Sequence, residues 1–97
     1  MKRDDILTRL RERRREISDR FAVEHLGLFG SAARDELRDD SDVDVLVSFR
    51  GRATFDGYMG LKFYLEDLFG RKVDLVTEKG LKPRIRPHVE KDLIRVP

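Results

Sequence analysis

The sequence lacks cysteine, long apolar runs and a surface charge that is all of one sign, and each absence argues against a class of protein. None of the 97 residues is cysteine, which excludes disulfide frameworks, thiolate zinc sites and cysteine nucleophiles. No apolar stretch approaches the roughly 20 residues of a membrane span. Residues 1–15 contain no apolar core of a secretory signal. We therefore expect a cytoplasmic protein without a membrane partner.

The length predicts one compact domain over residues 1–97, because domains most often contain about 100–150 residues. Charged residues make up 41% of the chain and hydrophobic residues 39%, whereas an average soluble domain is roughly 25% charged. A hydrophobic core is therefore available, and we expect nearly everything outside it to be solvated.

The net charge of +2 conceals a segregation of charge along the chain. Residues 1–20 carry a net charge of +3, residues 34–44 a net charge of −4 and residues 79–97 a net charge of +4. A nucleic-acid-binding protein more often presents a surface of one sign, so we expect no specific nucleic-acid binding. An acidic segment between basic ends suits a bound cation with an anion nearby.

Hydrophobic spacing predicts helices that alternate with strands. The predicted helices cover residues 3–19, 31–37, 58–68 and 83–92, and the predicted strands cover residues 23–29, 42–49 and 72–77. Gly70 suits the end of the third helix, and Pro87 is expected to kink the fourth. This order predicts a small α/β (α+β) fold in which helices pack against one sheet.

Asp42 and Asp44 form the first candidate site. Residues i and i+2 of a strand point to the same face, with Cα atoms about 6.6 Å apart, so the two carboxylates can converge on a pair of metal ions. Oxygen ligands without cysteine favour Mg²⁺ or Mn²⁺ over zinc. The alternative is that both acids are merely an exposed strand start after a turn.

Asp74 interrupts the apolar strand of residues 72–77. Acids within such runs are uncommon unless they are paired or ligate a metal. If this strand lies beside residues 42–49, Asp74 becomes the third carboxylate of the same site and could accept a proton from an attacking hydroxyl. The alternative is an edge-strand aspartate that faces solvent.

Gly30 and Ser31 join a predicted strand to a predicted helix. Glycine allows the backbone to approach a phosphate closely, and a helix N-terminus offers N–H groups to an anion. The alternative is a simple helix cap. Arg34, one turn later, could reach a phosphate or pair with an acid such as Asp35 or Asp39, and we favour the phosphate.

The spacing of these residues resembles the signature of the nucleotidyltransferase superfamily that includes DNA polymerase beta. Gly30-Ser31, ten residues and Asp42-Val43-Asp44 match its glycine-serine and aspartate-pair motifs, and Asp74 matches the position of its third acid. Over about residues 22–96 the chain is similar to the minimal nucleotidyltransferases, in particular to the MntA-type antitoxins of HEPN/MNT toxin–antitoxin systems. The resemblance implies a palm-like catalytic core over 22–96, preceded by an amphipathic helix in 1–20.

The resemblance also implies a reaction, in which AMP moves from Mg-ATP to a hydroxyl, a tyrosine in the antitoxin subgroup, of a HEPN RNase toxin. It implies that Gly30 and Ser31 hold the triphosphate, and that two Mg²⁺ ions are bound by Asp42, Asp44 and Asp74. A hetero-oligomer with the toxin is the expected assembly. Two alternatives stay open: a binding-only antitoxin with a vestigial site, and a nucleotidyltransferase that acts on a small molecule.

One residue departs from the family pattern, because a glycine commonly follows the motif arginine and here Asp35 does. Its negative charge is expected either to weaken nucleotide binding or to point outward without effect.

Overall fold

The computed structural model describes residues 1–97, in which four strands form one mixed sheet. The helices are α1 (Arg3–Phe21), α2 (Gly30–Ala33), α3 (Phe55–Phe69) and α4 (Arg86–Asp92), and a single 3₁₀ turn covers Glu78–Gly80. The strands are β1 (Val23–Phe29), β2 (Val43–Phe49), β3 (Val73–Thr77) and β4 (Ile94–Arg95), arranged in the order β3-β2-β1-β4. β2 pairs antiparallel with β1 and parallel with β3, and β4 pairs antiparallel with β1. The predicted fold class is confirmed.

The main core lies between α1, α3 and one face of the sheet. The alternating valines of β2 predict this face, since every second residue of a strand points the same way. Val43, Val45 and Val47 are fully buried, as are Leu61 and Leu65 on α3. The core face therefore uses the odd-numbered positions of β2, which leaves its even-numbered positions for the other face.

The opposite face of the sheet is covered in part by α4. Leu46 and Val89 are buried but lie outside the main core cluster. Phe29, Asp44 and Asp74, on the same face as Leu46, keep partial or full exposure. This half-covered face is where the acidic residues are found.

Two predicted helices differ from the structure, and one strand was not predicted. α2 ends at Ala33 instead of residue 37, because Asp35 adopts a left-handed conformation with φ of 60° that no helix continues through. α4 starts at Arg86 rather than residue 83, so Pro87 lies in its first turn, where its missing N–H costs no helical hydrogen bond. The predicted kink is therefore wrong. β4 was not predicted, since its two residues are too short for a periodic signal.

Side chains of α3 cover the outer edge of β3. The hydroxyl of Tyr58 donates to the carbonyl of Leu75, and the N–H of Val73 donates to Glu66 Oε2 at 3.1 Å. Unpaired backbone groups at a sheet edge invite pairing with other chains, so these two contacts occupy part of that edge.

None of the helices combines the length and the apolarity that a membrane crossing requires.

Candidate functional site

Three residues on adjacent strands form a row across the half-covered face of the sheet. Phe29 of β1 is the register partner of Asp44 in β2, and Asp44 is the register partner of Asp74 in β3. Register partners present their side chains on the same face. The structure thus places β3 beside β2, which was the condition for Asp74 to join the Asp42 and Asp44 site.

Asp44 is the most perturbed carboxyl group of the site. Partial burial raises its pKa from the usual 3.8 to about 6, and the charges of Asp74 and Asp42 add to the shift. The positive charge of Arg34 acts in the opposite direction. Asp44 is therefore the carboxyl group of the site that holds its proton most tightly.

The donor set fits a hard divalent cation by its chemistry. Carboxylate oxygens without thiolates suit Mg²⁺ or Mn²⁺, and a nearby cation would favour the ionised form of Asp44, which partial burial and the charges of Asp74 and Asp42 disfavour. As the side chains stand, no three acidic, histidine or cysteine groups converge closely enough to hold an ion. Asp44 and Asp74 are adjacent, and the three-carboxylate ligand set stays a prediction.

Gly30 lies directly against the Asp44 carboxylate. A Cβ atom at residue 30 would stand 2.1 Å from Asp44 Oδ2, and the residue has a φ of 68°, which favours glycine. The loop can therefore come this close to the acid only without a side chain. Ser31 follows as the second residue of the single-turn α2, whose first N–H groups have no partner within the turn.

Arg34 follows α2 and is paired with acids that the sequence did not single out. Its guanidinium donates to Asp92 at 2.6 Å and to Glu36 at 3.2 Å. The hydrogen bond that Arg34 donates to Asp92 is the main reason that the Arg34 pKa is raised. Arg34 nevertheless lines the same pocket as Gly30, so its role in nucleotide binding stays a prediction.

Asp35 points its carboxylate toward α1. The backbone N–H of Arg3 donates to Asp35 Oδ1 at 2.8 Å, and an acid at a helix N-terminus satisfies a free N–H and complements the helix dipole. The left-handed backbone of Asp35 is a conformation that glycine adopts without strain, which explains why glycine suits this position. The Asp35 carboxylate is thus bound at the N-terminus of α1, and its effect on nucleotide binding stays a prediction.

Two pockets flank the start of α4, and their residues were largely missed by the sequence analysis. The first pocket, on the Gly30 side, is also lined by His88, Lys91 and Asp92. The second pocket adjoins Asp74 and is mostly apolar. The positive charge of residues 79–97 was the one available signal, since it predicted an anion or a partner but no particular residue.

The fold and the site define a nucleotidyltransferase. Residues 7–96 match the model of the Nucleotidyltransferase domain family, and the chain belongs to this family. Within the family, the chain is 38% identical over 93 residues to the protein adenylyltransferase MntA of Thermococcus cleftensis, with 96% of this chain and 94% of the relative covered. The predicted membership among minimal nucleotidyltransferases is confirmed.

Solved structures agree with this assignment. A minimal nucleotidyltransferase superposes with a TM-score of 0.82 at 39% identity, covering 97% of this chain and 95% of the other. A toxin–antitoxin complex with AMP-PNP gives a TM-score of 0.73 at 17% identity, over 89% of this chain and 71% of the other. A complex of a tri-AMPylated Shewanella oneidensis HEPN toxin with its MNT antitoxin gives 0.67 at 15% identity, over 93% and 71%. At these last two identities the likeness shows the shared fold.

Proposed function

We propose that this chain is an antitoxin that transfers AMP from Mg-ATP to a hydroxyl, in the first place a tyrosine, of a HEPN RNase toxin and thereby neutralises it. The observation that carries the proposal is the row of Phe29, Asp44 and Asp74, with Gly30 held against the Asp44 carboxylate. Catalysis of nucleotidyl transfer is mainly positioning and charge neutralisation. A glycine that lets the backbone approach a phosphate suits the first task, and a pair of carboxylates on neighbouring strands suits the second.

Each residue of the site then has a role. Gly30 and Ser31 would hold the triphosphate at the start of α2, and Mg²⁺ held by Asp42, Asp44 and Asp74 would neutralise charge on the reacting phosphates. The acceptor oxygen forms a bond to the α-phosphorus, and the bond from that phosphorus to the bridging oxygen of the β-phosphate breaks. Pyrophosphate leaves, and the hydroxyl proton passes to Asp74.

The partner is supported by the relatives and by the surface of the chain. The Thermococcus cleftensis relative is named a protein adenylyltransferase, and structural neighbours are an antitoxin complex with AMP-PNP and a complex with an AMPylated HEPN toxin. The half-covered face leaves the acidic row open at the surface, so a second protein can present its hydroxyl there.

Intact-mass spectrometry tests the proposal. The chain is incubated with Mg²⁺, ATP and a HEPN-domain protein encoded beside it, and the HEPN protein is expected to gain one or more AMP units. Asp42→Ala/Asp44→Ala abolishes the gain, whereas Asp39→Ala, an acid outside the row, preserves it. If the double variant still neutralises an unmodified toxin, the chain is a binding-only antitoxin and the enzymatic proposal is wrong.

A further inference from the structure

An apolar pocket adjoins the Asp74 end of the row. It is an open pocket of about 290 Å³ between the sheet, the segment after the 3₁₀ turn and the start of α4. Its apolar lining consists of four aliphatic side chains and the ring of Phe29 from β1, and its charged residues are Asp74 and Lys82. The aliphatic residues are Val76, Leu81, Ile85 and Val89. Ile85 is 46% exposed, so this part of the lining is accessible from solvent. The proposed reaction assigns no role to this pocket.

The order of the strands assigns the two ends of the row to different parts of the reaction. Phosphoryl transfer requires the attacking and leaving oxygens to lie roughly in line through phosphorus. Gly30 directly follows β1, so the leaving pyrophosphate lies at the β1 end of the row. The attacking hydroxyl must then enter from the β3 end, where Asp74 and the apolar pocket are found.

We propose that this pocket binds the phenol ring of the acceptor tyrosine. This inference rests on the proposed function, and it names the residues that select the protein substrate. A side chain that fits must have an apolar body for Val76, Leu81 and Ile85 and one hydroxyl for Asp74. Tyrosine meets both requirements, because its ring is apolar and its phenol donates a hydrogen bond. Serine and threonine offer the hydroxyl without the ring, so they leave the aliphatic walls exposed to water.

NMR titration of the ¹⁵N-labelled chain distinguishes the possible occupants. With Mg-AMP-PNP present, N-acetyl-tyrosinamide is expected to shift the amide signals of Gly80, Leu81 and Ile85, and N-acetyl-serinamide to leave them in place. If Mg-AMP-PNP alone shifts Leu81 strongly, the pocket holds the nucleobase and the inference is wrong. If Mg-AMP-PNP perturbs neither Gly30 nor Ser31, the proposed function itself fails.

Leu81→Asp tests the same pocket through the reaction with a HEPN acceptor. The new charge is expected to raise the KM for the acceptor at least tenfold and to leave the KM for ATP within about twofold. Phe63→Asp is the control, because Phe63 is a 55% exposed apolar residue on α3, outside the pocket. Leu81→Ser, a milder change that removes the aliphatic wall, serves if the aspartate variant does not fold. Equal increases in the KM values for the acceptor and for ATP, or no change in either value, would overturn the inference.

Discussion

The guanidinium of Arg34 lies 2.6 Å from the carboxylate of Asp92, and this ion pair joins the residue after α2 to the last residue of α4. The Asp92 side chain is only 17% exposed, so the contact is formed at the base of the pocket beside Gly30. Glu36 makes a second ion pair with Arg34. Two acids therefore neutralise the arginine that lines the pocket beside Gly30.

We expect Asp92→Asn to strengthen the binding of ATP. Without the Asp92 charge, Arg34 presents more of its positive charge to the phosphates, and partly exposed ion pairs are worth little, so the gain should be about two- to fivefold in Kd. Isothermal titration calorimetry with Mg-AMP-PNP at low and high salt measures it. Asp39→Asn, which removes a charge elsewhere, should leave Kd unchanged; weaker binding by Asp92→Asn would show that Asp92 positions Arg34 instead.

Gly30→Ala should abolish nucleotidyl transfer while the chain remains folded. The new Cβ would stand 2.1 Å from Asp44 Oδ2, so either the carboxylate or the loop must move, and we expect a loss of at least about 100-fold because small misplacements of reacting groups are that costly. Gly51→Ala is the control, since Gly51 also has a positive φ, of 73°, but nothing within 4 Å of its Cβ position. Both variants place an alanine at a positive φ and so carry similar backbone strain. Only Gly30→Ala should reduce the rate of AMP transfer, which mass spectrometry measures.

Asp44→Asn is expected to stabilise the metal-free protein at neutral pH. The pKa of Asp44 is raised to about 6, so the folded state holds this proton more tightly than the unfolded state, and stability falls as pH rises from about 4 to 6. An asparagine amide at position 44 carries no charge, so the variant does not lose stability in this pH range. After allowance for solvent screening, the gain is roughly 1–2 kcal/mol, or several degrees in Tm.

Calorimetry in EDTA at pH 7.5 and pH 4 checks this expectation. The variant should melt above the parent at pH 7.5, and the difference should shrink at pH 4, where the parent Asp44 is protonated in the folded state. Added Mg²⁺ should raise the Tm of the parent more than that of the variant. A variant that is less stable than its parent at pH 7.5 contradicts the account of Asp44.

Glu66→Gln should lower stability at pH 7. The N–H of Val73, followed by the ammonium of Lys62, lowers the pKa of Glu66, so its stabilisation is present above its usual pKa and is lost as pH falls through the lowered value. We expect a loss of about 1 kcal/mol, which urea unfolding at pH 7 measures. Near pH 3 the variant and the parent should converge; a constant difference across this range would exclude a role for the Glu66 charge.

Local patterns in the sequence predicted the strands and helices that build the site. They could not predict contacts between residues that are far apart in the chain. The alternation of β2 predicted which face carries Asp44, because the period of a strand is fixed, whereas Asp42 precedes the strand. The pairing of Arg34 with Asp92, 58 residues apart, leaves no periodic trace in the sequence. α2 was predicted too long since the left-handed backbone of Asp35 depends on its contact with α1 rather than on its own propensity.

The row across β1, β2 and β3 also bears on how the chain avoids misfolding. A shift of β2 by one residue would turn Asp44 toward α1 and α3 and expose the valines on either side of it, because every side chain of a strand changes face in such a shift. The burial of a carboxylate among aliphatic side chains is costly. Asp44 therefore also penalises the wrong strand register, in addition to the role proposed for it in the site.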